Sequence, residues 1–152
     1  VGLIVLTACI ESEDTGYYEG KVNLFNNSDT FQQANTARLN GSGNATSDPF
    51  EIEAVVHQGD TLRVGVAYSG GCEEHHFKVI WDGTILTSSP CRVDLIIGHD
   101  AQGDPCEGYI RESLIINLNQ LIGENDEKDA CIYNVFSMTN ESDVPDGVSS
   151  PN

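Results

Sequence analysis

Apolar and polar positions alternate with a period of two through the middle of this chain. In Thr61–Tyr68, Leu62, Val64, Val66 and Tyr68 share one face while Arg63, Gly65 and Ala67 share the other, as in a strand with one side in a core. Glu107–Leu118 behaves likewise, with Ile110, Glu112, Leu114, Ile116 and Leu118 on one face. Further strands are predicted at Lys21–Phe25, Phe50–His57, Glu74–Trp81, Thr84–Thr87, Arg92–His99 and Ala130–Met138. Gln58-Gly59-Asp60 supplies a turn, and Asp82-Gly83 a tight turn between two of the strands. About seven or eight strands without a long helical stripe predict an all-β fold, an antiparallel β-sandwich of immunoglobulin-like architecture, with a small β-barrel as runner-up.

The breaks in the alternation set the organisation. Asn26–Pro49 is rich in Asn, Ser, Thr and Gly, with only Phe31 and Leu39 as sizeable apolar anchors, and reads as a long surface loop. Asn140–Asn152 carries two prolines and little to bury, so a disordered tail is expected. The folded domain is therefore predicted over residues 21–139, preceded by an acidic tether at 9–20.

Val1–Ala8 is almost wholly apolar, ends in Leu6-Thr7-Ala8, and is followed by Cys9, Ile10 and an acidic stretch. Eight residues are too few to span a bilayer, which takes about 20 in a helix. A buried strand is the plainer reading of VGLIVLTACI. Leu-Thr-Ala-Cys, however, resembles the lipobox of a bacterial lipoprotein signal peptide. The resemblance implies that residues 1–8 are the remnant of a signal peptide and that Cys9 is the lipidated N-terminus of an exported protein. Ile10 in place of Asp resembles lipoproteins passed to the outer membrane, so a lipid anchor in the bacterial cell envelope is expected.

Charge narrows the partners. The 7 Lys+Arg against 24 Asp+Glu leave a net charge of −17, which repels nucleic acid and anionic membrane surfaces alike. Membrane contact is expected only through the N-terminal lipid, and an envelope protein or glycan is the remaining class of partner.

The richest chemistry lies between Ser69 and Glu107, in SGGCEEHHF and SSPCRVDLIIGHDAQGDPCEGY. Parity turns His75 inward with Phe77, Val79 and Trp81, sets His76 beside Lys78 on the opposite face, and turns His99 inward with Val93, Leu95 and Ile97. If Glu74–Trp81 and Arg92–His99 run antiparallel, then Cys72, His75, His99 and Cys106 gather at one end of the domain, with Asp100, Asp104 and Glu107 nearby. Three readings compete there. A Cys72–Cys106 disulfide would close a loop worth about 3–4 kcal/mol, and export favours it. A set of Cys72, His75, His99 and Cys106 would suit zinc or copper, although the second half of that spacing is loose. Asp100-Ala-Gln-Gly-Asp104 has two carboxylates around a glycine but lacks the other ligands of a calcium loop. With Cys9 assigned to lipid, Cys91 and Cys131 remain to form a second bridge, with buried free thiols as the alternative.

The SGGC-x2-H and H-D-x2-G-D-x-C-E block resembles one found in small exported bacterial proteins of uncharacterised function, several of them lipoproteins. The resemblance covers about a third of the chain and implies location and fold, not activity. Catalytic signatures are lacking. Ser69 has neither the glycine nor the helix of a nucleophile elbow, Gly41–Thr46 sits in a polar loop, and Glu73 and Glu74 point to opposite faces. The expectation is a non-catalytic surface or periplasmic binding or scaffold module without a cofactor. An envelope metal-binding protein is the alternative, and an enzyme whose site leaves no motif is the third class.

Overall fold

A computed structural model describes residues 21–149. Eight strands occur among them: β1 (Val22–Asn26), β2 (Glu51–Gln58), β3 (Thr61–Gly70), β4 (His76–Trp81), β5 (Arg92–Asp100), β6 (Gly108–Asn117), β7 (Ile132–Ser137) and β8 (Gly147–Ser149). Helix α1 (Ser28–Leu39) follows β1, and a single turn, α2 (Leu118–Leu121), follows β6. The strands form a five-stranded sheet, β1-β4-β5-β7-β8, and a three-stranded sheet, β2-β3-β6. Neither closes into a barrel among the described residues.

The alternating residues do what their period requires. Leu62, Val64 and Val66 of β3 and Leu114 and Ile116 of β6 share one core with Phe77, Val79, Val93, Leu95, Ile97, Tyr133 and Val135 of the larger sheet. Two long apolar-alternating strands thus cover the inner face of the larger sheet.

Four expectations are corrected. The sheets are not purely antiparallel, because β1 pairs parallel with β4 and β5 parallel with β7. In each case the chain crosses to the smaller sheet and returns in the same direction, and long excursions of this kind are what parallel pairing requires. Thr84–Thr87 is not a strand. Its pairing is the single Leu86–Arg92 bridge, while Trp81 Nε1 donates to the Thr84 carbonyl and Asp82 accepts from the Thr84 amide.

The supposed loop Asn26–Pro49 holds α1. Asn27 caps it by accepting from Thr30 N, and Phe31, Ala34 and Arg38 form its buried stripe. That stripe packs on Ile80, Ile96 and Phe136, outward residues of the larger sheet, and on Met138 just past β7. The sequence hid the helix because its buried face is built from one aromatic ring, alanine and an arginine, so apolar contrast around the axis is slight.

The expected disordered tail is likewise tied down over residues 140–149, and residues 150–152 lie outside the described residues. Arg38 lies over the Phe136 ring and its Nη1 donates to the carbonyls of Asn140 and Ser142. Asp146 accepts from Ser137 N and Asn140 Nδ2, and β8 then pairs antiparallel with β7. These backbone and side-chain bonds, not apolar burial, order residues 140–149.

Candidate functional site at the disulfide-capped end

The antiparallel β4–β5 register sets Phe77 opposite His99 and His76 opposite Asp100, so the start of β4 meets the end of β5. Gly70 at the end of β3 pairs with Gly108 at the start of β6. The segments carrying Cys72 and Cys106 therefore leave one sheet side by side, and the two cysteines are disulfide-bonded with Cα atoms 5.8 Å apart. Cys91 and Cys131 are also bonded. Each immediately precedes a strand of the parallel β5–β7 pair, whose register opens at Arg92–Ile132, so the ladder itself brings them together.

Beneath the Cys72–Cys106 bridge runs a buried polar chain. Asp104 Oδ2 lies 2.8 Å from His75 Nε2, and His75 Nδ1 lies 2.8 Å from His99 Nε2. His99 Nδ1 faces the Pro49 and Asp48 carbonyls at 3.0 and 3.3 Å. His75, His99 and the Asp104 carboxylate are all withdrawn from solvent. The backbone N–H groups of Gly71, Cys72 and Glu73 also converge on Asp104 Oδ2, at 3.0, 3.2 and 3.1 Å, and Cys106 N donates to Oδ1. Successive amides turned onto one anion form a nest. Glycines make it possible: a Cβ at Gly70 would stand 2.6 Å from His75 Nε2, and Gly71 adopts φ +126°. Around the rings, Tyr68 stacks on His75 and Phe77 on His99, with Phe50 edge-on to His99. Tyr68 donates to Glu112, which also pairs with Lys21.

The protons can be counted. A carbonyl only accepts, so His99 Nδ1 carries hydrogen; each of the other two junctions needs one more. The hydrogen bond from His75, aided by the backbone amides and opposed by burial, holds the Asp104 carboxyl well below the usual carboxylate range. Burial first, then the neighbouring His75, pushes His99 down, against the pull of the Pro49 and Asp48 carbonyls. The chain Asp104–His75–His99 thus runs by hydrogen bonds alone from the nest under the bridge to the Asp48 and Pro49 carbonyls.

The arrangement differs from the sequence reading in its centre. Cys72, His75, His99 and Cys106 are indeed at one end, but His99 lies behind His75 with both nitrogens committed away from the sulfurs. Among the described residues, the groups whose ligand atoms lie within 4.8 Å of one another are Cys72, Asp104 and Cys106. Disulfide sulfur is not a thiolate, so the bonded pair does not supply the Cys2His2 set as drawn. The two carboxylates of the Asp100–Asp104 stretch diverge, Asp100 accepting from Gln102 N while Asp104 turns inward. Asp104 is the residue that sequence reasoning undervalued, and the adjacent Gly70-Gly71 pair before Cys72 was the available sign of a nest there. Ser69, Glu73 and Glu74 are solvent-facing and do not converge. Cys9 and the tether lie outside the described residues, and among those residues no helix is long and apolar enough to cross a membrane.

No protein-family model and no curated protein matches the chain. Among solved structures it is similar to a NigD-like immunity protein from Bacteroides caccae, at 16% identity over 76% of this chain and 50% of that one, TM-score 0.47. It is also similar to a protein of unknown function, DUF1344, from Bacteroides vulgatus, at 12% identity over 80% and 52%, TM-score 0.48. A third, from Parabacteroides distasonis and described as toxin-related, gives 17% identity over 76% and 54%, TM-score 0.47. The chain spans about half the length of each.

Proposed function

We propose that this protein is a lipid-anchored, non-catalytic binding or scaffold module of the bacterial cell envelope, built as an immunoglobulin-like sandwich and held by Cys9 to the outer membrane. One observation carries the non-catalytic part. At the cysteine-histidine end, both nitrogens of His75 and His99 and both oxygens of Asp104 are engaged inside the protein. A group so saturated holds three loops together and has no valence left to act on a substrate. The Leu-Thr-Ala-Cys tail supports the anchor, and the net charge of −17 supports a protein or glycan partner over nucleic acid.

A second reading keeps one observation in its favour. Reduction of the bridge would leave two thiols and the Asp104 carboxylate within 4.8 Å of one another, beside His75, a donor set that suits zinc or copper.

Two measurements on protein expressed from its full-length gene test the proposal. Intact mass should show a diacylglyceryl-bearing Cys9, lost together with membrane attachment in Cys9→Ser. Reductant should lower the melting temperature clearly while a chelator leaves it unchanged. A membrane-bound Cys9→Ser protein would sink the anchor. A stoichiometric metal whose removal lowers the melting temperature would replace the module with the metal reading.

A further inference from the structure

Helix α1 covers only part of the outer face of the larger sheet. Beyond it runs the cross-strand row Asn23–Lys78–Gly98 on β1, β4 and β5, in which Asn23 and Lys78 are exposed and the Lys78 side chain lies over the buried Gly98. With Phe25 on one side and the Asn44–Asp48 loop on the other, it floors a cleft of about 440 Å³. That is within the ~300–1,000 Å³ typical of small-molecule sites.

Lys78 distinguishes this cleft from the rest of the surface. Of the chain's 7 basic side chains, the other six each touch a carboxylate, an amide or backbone carbonyls. Lys78 alone among the described residues has no such partner, although the chain carries 24 acidic residues. Gly98 makes room for it: a Cβ there would stand 3.1 Å from Lys78 Cε. The unengaged ammonium is therefore laid across the floor of the cleft.

The surroundings limit what Lys78 can meet. Asp48 and Asp100 also line the cleft, each with one oxygen taken by a backbone amide, so a multiply charged anion is repelled while hydroxyl donors are welcome. The Asn23 and Asn44 amides have no side-chain hydrogen bond among the described residues, and each offers both donor and acceptor. The Phe25 ring is 39% exposed. A flat apolar platform, planar amides, carboxylate acceptors and one ammonium match a ring with a C–H face, several hydroxyls and one carboxylate.

We propose that this cleft binds an acidic sugar, its carboxylate paired with Lys78, its hydroxyls on Asn23, Asn44 and the flanking aspartates, and its ring against Phe25. The assignment rests on the binding-module reading and names that module's ligand class.

Backbone amide NMR of the folded domain, titrated with glucuronate, galacturonate and N-acetylneuraminate, tests it. At least one sugar acid should bind saturably, moving the amides of Asn23, Lys78 and Gly98. Glucose should bind at least roughly tenfold more weakly, and acetate weaker still. Lys78→Met should lose roughly tenfold or more while Lys78→Arg stays close to wild type. Gly98→Val, which fills the floor and keeps every charge, should abolish binding. No saturable binding by any of the three acids overturns the assignment, as does binding indifferent to Lys78→Met. A short peptide with a free C-terminus binding more tightly than all three would give the cleft to a protein partner instead. Anchoring and melting, which test the module itself, involve neither the cleft nor these probes, so a failure here leaves that reading to its own result.

Discussion

At the scale of single residues, the closed end of the molecule converts burial into pH dependence. His99 is pushed below the ordinary histidine range, chiefly by burial, so the unfolded chain takes up a proton that the folded ring refuses. Its contribution to stability is complete above about pH 6.5 and declines as pH falls below that value. Asp104 acts in the same direction lower down, because a carboxyl held below its unfolded value of about 3.9 stabilises the fold above that pH and loses the effect as pH drops further. Urea unfolding of wild type should show stability falling from pH 7 towards pH 5 more steeply than in His99→Gln, which keeps a polar side chain but cannot titrate. Identical slopes would mean that another group carries the dependence.

At the scale of elements, α1 shows how a helix forms from a sequence that looks like loop. Phe31 and Ala34 are its apolar contact with the sheet, and Asn27 is its cap. Phe31→Ala should cost about 3–5 kcal/mol, as for other buried aromatic truncations, and Asn27→Ala about 1 kcal/mol. Thermal unfolding followed by circular dichroism checks both, and a loss below ~1 kcal/mol for Phe31→Ala would show that the helix is not needed to cover Ile80 and Ile96. Arg38 links the same helix to the last strand through the Asn140 and Ser142 carbonyls, while burial lowers its pKa against the raising effects of Asp143, Asp146 and Asp94.

At the scale of the whole molecule, the two bridges close different seams. Cys72–Cys106 ties the end of β3 to the start of β6 over the histidine chain, and Cys91–Cys131 ties the starts of β5 and β7 within the larger sheet. Each closes a loop of 34 or 40 residues, so loss of either is expected to cost about 2–5 kcal/mol. The double variant Cys91→Ser/Cys131→Ser should unfold at clearly lower urea yet keep its inward histidines protected from exchange and modification. Cys72→Ser/Cys106→Ser should expose them. Equal histidine protection in the two variants would show that the bridge does not clamp that end.

The strand faces were legible in the sequence because side-chain parity follows from the backbone alone: Leu62 to Val66, Leu114 and Ile116, and the inward turn of His75 and His99 all follow from a period of two. The convergence of Cys72, His75, His99 and Cys106 was legible for the same reason, once β4 and β5 were taken as antiparallel. The direction in which β4 and β7 re-enter the larger sheet was not, since it depends on which sheet the intervening strands join. Neither was α1, whose small and charged buried face acquires apolar partners only when the sheet is present. Asp104 at the hub of the closed end, and Lys78 alone in an open cleft, likewise depend on distances between segments far apart in the chain. Local pattern fixes which way a side chain points; only tertiary packing decides what it meets.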